Sequence, residues 1–291
     1  MTTATFDDIW KITKGGDKKQ FEKVYNDSLY KSDQHGINLF HVACYENKTT
    51  DIIKFLTKKN VNLDVNGVDT VGTSPVLYAV RNTAKSLEPL KELLKIPYID
   101  VNIRDSAGNI ALGEAFDLES PEAALLILGI KGIVLVDTNY KNVPLINHLL
   151  NSKHAAKVLP AFLKRSPYIN VVGPDGDSPL ILAVKKGLTN EVKLLLALPN
   201  INVDAKDSNG DTSLALASPQ IADLLIKAQA TVDTQNKDGN SPLHLAVAKN
   251  EIHKVTSLIK AKAKKDTKNN KQATAKDIAL AASLVHLEKL L

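Results

Sequence analysis

The chain has 291 residues, of which 44% are hydrophobic, 24% charged and 5% aromatic, with a net charge of +5 and a single cysteine, Cys44. That balance is ordinary for a folded soluble protein, and one cysteine excludes an internal disulfide and fits a reducing compartment. The polar, acidic start from Met1 to Asp8 does not read as a secretory signal, and the most apolar run, Ala123 to Val136, is broken by Gly129, Lys131 and Gly132 and too short to span a bilayer. Neither end carries a lipidation signal, so the cytoplasm is the expected location, with the nucleus also open to it.

Length here counts stacked units, because one phrase recurs along the chain. Its glycine slot falls at Gly36, Gly72, Gly108, Lys141, Gly176, Gly210, Gly239 and Gln272, with successive spacings of 36, 36, 33, 35, 34, 29 and 33 residues. Such a period predicts a repeat array.

In chain order, Asp8-Ile9-Trp10-Lys11-Ile12, then Gly15-Gly16-Asp17 and Phe21, Val24 and Tyr25, predict a helix pair without a hairpin, its second helix opened by Asp17. The first unit reads Gly36-Ile37-Asn38-Leu39-Phe40-His41-Val42-Ala43, and the second Gly72-Thr73-Ser74-Pro75-Val76-Leu77-Tyr78-Ala79. Cys44 follows Ala43 in an apolar helix and reads as a small buried hydrophobe. The third unit, Gly108-Asn109-Ile110-Ala111-Leu112-Gly113-Glu114-Ala115, loses both helix cap and proline; the fourth keeps Pro144-Leu145 but places His148 in the alanine slot. The fifth is clear, from Asp175-Gly176-Asp177-Ser178-Pro179-Leu180 to Leu195 and Leu196. In the sixth, Ala217 to Ile221 is four residues where Ala183 to Val192 is nine, so about five are missing and its first helix or loop must be cut back. The seventh gives the fullest phrase, Gly239-Asn240-Ser241-Pro242-Leu243-His244-Leu245-Ala246. The last, Gln272 to Ala279, replaces apolar positions with Lys276 and Asp277, as a capping unit requires.

Ser241-Pro242-Leu243-His244-Leu245-Ala246 closely resembles the Thr-Pro-Leu-His-x-Ala signature of the ankyrin repeat, and the resemblance runs over almost the whole chain. The chemistry agrees: Ser or Thr caps the helix, Pro fits its first turn, and Gly supplies the turn before it. The resemblance implies an all-α fold, an α-solenoid with β-hairpin loops. It divides into a capping helix pair at 1–32, seven repeats at 33–268 and a capping eighth repeat at 269–291. It also implies that His41 and His244 hydrogen-bond the loops of adjoining units.

Catalytic signatures are absent: there is no nucleophile elbow, phosphate loop, dinucleotide-binding glycine motif or kinase triplet. Asp33, Asp69, Asp105, Asp175, Asp207 and Asp238 recur at hairpins, where turn chemistry explains them. His148 and His154 stand six apart, a spacing that does not put two ligands on one helix face. No catalytic residue, metal site, cofactor or small-molecule substrate is therefore expected.

Partners of ankyrin-repeat proteins sit in a concave groove of hairpin tips and first helices. By register the resemblance places there His35, Ile37, Tyr45, Glu46, Val71, Thr73, Arg81, Asn82, Asp117, Leu118, Tyr140, Asp175, Asp177, Lys185 and Lys186, with Tyr45, Arg81 and Tyr140 foremost because tyrosine and arginine are frequent hot spots. The segment from His244 carries ten lysines against four carboxylates, +6 of the total +5, leaving −1 for the rest. Its run Lys260, Lys262, Lys264, Lys265, Lys268 and Lys271 has no aromatic partner, so a solvated capping surface is expected over contact with nucleic acid or anionic lipid. The expected function is that of a monomeric, non-catalytic scaffold that binds partner proteins. The alternative is the N-terminal targeting module of a larger signalling enzyme, a kinase or small-GTPase regulator, suggested by the stop at Leu290-Leu291.

Overall fold

The computed structural model describes residues 6–25, 32–45, 50–58, 64–135, 142–166 and 168–291. The fold is all-α: among the described residues there is no extended strand, only an isolated antiparallel bridge between Lys206 and Thr212. The chain divides into two compact units, residues 1–141 with 151–165, and residues 142–150 with 166–291.

The first unit opens with α1 (Phe6–Gly15) and α2 (Lys18–Val24), and the predicted cap is in place, the Asp17 side chain accepting from Gln20 N at 3.0 Å. Three helix pairs follow: α3 (Leu39–Tyr45) with α4 (Thr50–Lys58), α5 (Pro75–Arg81) with α6 (Glu88–Leu93), and α7 (Ala111–Asp117) with α8 (Pro121–Leu128). The helix α9 (Leu145–Asn151) lies in the second unit save for its last residue, and α10 (Ala155–Leu163) in the first. First helices stack on one another as α1, α3, α5 and α7, and α2, α4 and α6 form a second row. The slot alanines Ala43, Ala79 and Ala115 are fully buried, which lets neighbouring helices approach closely.

The second unit contains α11 (Pro179–Lys185) with α12 (Thr189–Leu196), α13 (Ser213–Leu216) with α14 (Pro219–Lys227), α15 (Pro242–Ala248) with α16 (Ile252–Lys260), and α17 (Ala275–Ala281) with α18 (Val285–Glu288). The deletion in the sixth repeat shortens both candidates: α13 has four residues, and only Ala217 and Ser218 separate it from α14. The phrase's Ser or Thr caps its helix at Ser74, Ser178, Thr212 and Thr274; Ile110, which cannot cap, leaves α7 without a side-chain bond.

Hairpins are tied tip to tip by backbone bonds. His35 O accepts from Thr70 N and Val71 O from Ser106 N, each at 2.8 Å; in the second unit Asn209 O and Asp238 O accept from Lys237 N and Asn270 N. This close stacking explains the glycine slot. A side chain at Gly36 (φ +75°) would meet Val68 O at 2.8 Å, and one at Gly176 (φ +81°) would meet Ser208 N at 2.8 Å.

Candidate protein-binding surface

Six of the described hairpins are built around one carboxylate or amide that accepts two backbone N–H groups, while the fifth has Gly173 in that slot and closes by backbone bonds alone. Asp33 Oδ1 accepts from His35 N and Ile37 N, Asp69 Oδ1 from Val71 N and Thr73 N, and Asp207 Oδ1 from Asn209 N and Asp211 N. Asn236 and Asn269 do the same work in the last two hairpins. The turn reading thus holds for Asp33, Asp69, Asp105 and Asp207. Asp175 and Asp238 sit one position before the glycine, and the accepting slot in the seventh hairpin belongs to Asn236.

The signature histidines bridge repeats. His41 Nε2 lies 3.0 Å from Thr73 O and His244 Nε2 3.1 Å from Ala273 O. Burial holds His41 below its ordinary pKa of 6.5, against the pull of the Thr73 carbonyl and of Asp69. A neutral ring then donates from Nε2 while Nδ1 accepts from Asn38 N at 3.1 Å. Cys44 is fully buried, and burial pushes its thiol pKa up.

Several expected groove residues prove to serve the array itself. Thr73 is 2% exposed and Asp177 is buried as well, so neither offers a surface. Arg81 pairs with Asp105 at 2.7 Å and Glu114 at 3.0 Å, and Lys185 with Asp177 at 2.7 Å and Asp207 at 3.0 Å. Asn82 Nδ2 donates to Tyr78 O and Cys44 O, and Lys186 Nζ to Leu150 O. Exposed positions include His35, Asp117, Leu118 and Asp175, with Tyr45 at 47% and Val71 at 53%. Glu46 and Tyr140 lie outside the described residues. The six lysines from Lys260 to Lys271 are exposed, and Lys265 Nζ donates to Leu290 O at 2.8 Å.

The first unit also forms a cup of about 150 Å³ lined by Trp10, Lys14, Ile37, His41, Val42, Tyr45 and Tyr78, at the junction of α1, α3 and α5. Tyr78 meets the His41 ring edge-on at 5.4 Å and Tyr45 at 6.4 Å. Lys14 Nζ lies 5.4 Å from the Trp10 ring centre and 6.0 Å from that of Tyr45, with Lys85 Nζ at 5.3 Å from Tyr45. The Tyr78 hydroxyl donates to Asp69 Oδ2 at 2.9 Å; burial, and then the Asp69 carboxylate, raise its pKa to about 12. Of this cup sequence reasoning selected Ile37 and Tyr45 and missed Trp10, Lys14 and Tyr78. Trp10, the only tryptophan, was the available signal. In the second unit a more polar hollow of about 360 Å³ is lined by residues including Asp238, Asn240, Asn269 and Lys271.

Among the described residues no cluster of three or more His, Cys, Asp or Glu could hold a metal ion, and no described helix is long and apolar enough to cross a membrane.

A family described as ankyrin repeats (3 copies) matches residues 133–233. A Danio rerio protein provisionally named palmitoyltransferase ZDHHC13 is 40% identical over 241 residues, covering 80% of this chain and 36% of that protein. The ankyrin repeat protein OPG189 of variola virus is 22% identical over 76% of this chain and 41% of its own length. The chicken nuclear factor NF-kappa-B p105 subunit is 24% identical over 80% of this chain and 21% of its own. The chain thus spans well under half the length of the curated relatives it matches.

Proposed function

This chain belongs to the ankyrin-repeat family, and from that membership we propose that it is a non-catalytic adaptor holding partner proteins on its hairpin tips and first helices. Ankyrin repeats are protein–protein interaction modules. The observation that carries the reading is the aromatic cup of the first unit, open beside the exposed Tyr45: an apolar recess flanked by charged side chains is how a protein surface takes an anchor residue. The chemistry-bearing side chains support it from the other side. The signature histidines and the hairpin carboxylates are spent on hydrogen bonds within the array, and the one thiol is buried.

The test is capture by the immobilised protein from a lysate of its natural source, compared between wild type and the double variant Tyr45→Ala with Val71→Asp. Both residues are exposed, so the unfolding midpoint should hold while specific capture is lost. Undiminished capture counts against this surface.

A second reading is favoured by one observation, the coverage of only 36% of the Danio rerio palmitoyltransferase at 40% identity. In that reading the array is the partner-recruiting part of a longer acyl-transferring protein. It replaces the kinase or GTPase-regulator alternative, for which nothing beyond the repeat architecture speaks. Intact-mass measurement on the natural protein decides it: a mass matching 291 residues removes the reading.

A further inference from the structure

The cup's lining and rim together specify what enters it, an inference that rests on the protein-binding reading above. At the floor, the ring polar groups of His41 and Tyr78 are already engaged, His41 Nε2 by Thr73 O and Nδ1 by Asn38, and the Tyr78 hydroxyl by Asp69. What remains is the edge or face of Trp10, Tyr45 and Tyr78 with the aliphatic Ile37 and Val42. A cavity of about 150 Å³ walled in this way is the size that holds a benzene ring.

The rim has the opposite character. Two ammonium groups, Lys14 and Lys85, stand over the Tyr45 ring from the chain's own side chains. The carboxylates of Asp69 and Asp33 act on the floor, where, after burial, their charge raises the Tyr78 pKa, while the two ammonium groups stand at the exposed Tyr45 ring. Asp69 is buried and saturated by Val71 N, Thr73 N and the Tyr78 hydroxyl, while Asp33 Oδ1 is held by His35 N and Ile37 N. A cationic anchor would have to displace Lys14 and would still face Lys85 at close range. An anchor bearing carboxylates beside an aromatic ring would meet complementary charge on entry.

We propose that the cup formed by α1, α3 and α5 is a docking site for an acidic segment of a partner protein that inserts a phenylalanine-type ring, its flanking carboxylates pairing with Lys14 and Lys85. The ring fills the recess edge-on against Tyr45 and Tyr78, the geometry aromatic groups prefer. The rim lysines fix register and choose against basic segments.

The molecule supplies its own reporter, because Trp10 is the only tryptophan and lines the cup. Titrating the full chain with a blocked peptide of sequence Gly-Glu-Phe-Glu-Gly and following Trp10 fluorescence should give a saturable change with Kd of about 10–100 µM. Gln-Phe-Gln and Glu-Ala-Glu versions should each bind on the order of tenfold more weakly, and Lys-Phe-Lys should not saturate. The double variant Lys14→Glu with Lys85→Glu should lose the Glu-Phe-Glu peptide and gain the Lys-Phe-Lys one. Tyr45→Ala, an exposed position whose loss leaves the core intact, should abolish both. The proposal is overturned by equal binding of the acidic and basic peptides, by binding indifferent to Tyr45→Ala, or by no saturation up to about 1 mM. If the peptides fail while lysate capture still depends on Tyr45 and Val71, the adaptor reading stands and only this ligand chemistry falls.

Discussion

Lys254 lies on α16 with no exposed surface, and its ammonium group points at the carbonyls of Ala215 and Ala217, 3.0 and 2.7 Å away, with Glu251 at 3.6 Å. Those carbonyls belong to the end of α13, the helix that the deletion in the sixth repeat leaves four residues long. A helix end has unpaired C=O groups that need donors, and here the next repeat's lysine provides them. Burial pulls the Lys254 pKa down from 10.5 to about 8, with Glu251 opposing the fall and Lys249 adding to it. A neutral amine still has two N–H groups for two carbonyls. The unfolded chain keeps its proton to about pH 10.5 and the folded chain only to about 8, so between these values the unfolded state binds more protons. The stability this residue confers is therefore full above about pH 10.5 and lost as pH falls through about 8. Lys254→Met should cost about 1–3 kcal/mol at alkaline pH, the penalty of orphaned carbonyls. The gap from wild type should narrow toward pH 7. Urea unfolding of both proteins across this range checks it, and a gap that widens at low pH would mean that the charged form is the one the site favours. No reading of sequence finds this contact, because it joins a deletion to a lysine 37 residues away and depends on how two helices lie side by side.

At the scale of the element, the caps, the prolines and the slot alanines were legible, because each acts within one turn of its own helix. The cations at the ends of first helices were not. Arg81 and Lys185 occupy the same register position, two residues after the slot alanine, and each clamps the accepting aspartate of the next hairpin, Asp105 and Asp207. Where the next hairpin uses the neutral Asn269, that register position is Ala248. In the first repeat that position is Tyr45, and the next hairpin's Asp69 takes the Tyr78 hydroxyl in place of a cation. Burial pushes Asp207 up, but Lys185 and the N–H groups of Asp211 and Asn209 outweigh it and hold its pKa below 3.8; Asp105 is likewise held low by Asn109 and Arg81. A carboxylate with a depressed folded pKa stabilises the protein above its unfolded value and loses that contribution as pH falls through the folded one, here below about 4. Lys185→Ala should cost about 1–2 kcal/mol, less than a fully buried pair because the lysine side chain is 35% exposed. Adding Asp207→Asn should restore much of the loss, since it recreates the pairing of Ala248 with Asn269. A double-mutant cycle on denaturation free energies measures the coupling, and additive losses would show that the two residues act separately. In the first unit, Arg81→Ala should weaken the hairpin at Asp105 in the same way, which makes Arg81 a poor choice for probing partner binding alone.

For the whole molecule, the spacing of one phrase gave the architecture, while surface function depended on what the repeats bring together. The cup needed α1 laid against α3, a placement that the residues of α1 do not encode by period; Trp10 read only as part of a cap. The charge distribution is the feature of the whole chain that sequence shows and structure leaves at the surface. Six lysines between Lys260 and Lys271 are exposed, in a stretch with no aromatic or large aliphatic side chain among them. Attraction of such a run to an anionic membrane is worth about 1 kcal/mol per lysine near the surface, and falls off over a Debye length of about 8 Å at physiological salt. Durable membrane contact needs a second, apolar contribution, which this stretch does not supply. Vesicles rich in phosphatidylserine should therefore retain the protein at about 10 mM salt and release it at about 150 mM. Replacing Lys260, Lys262 and Lys268 by Gln should weaken the low-salt binding by about half of its electrostatic free energy while changing stability by no more than about 0.5 kcal/mol. The same variant should bind the acidic phenylalanine peptide as wild type does, because that site draws on Lys14 and Lys85. Retention on vesicles at about 150 mM salt would instead make the basic end a binding surface in its own right, with an affinity that neither its composition nor its exposure explains.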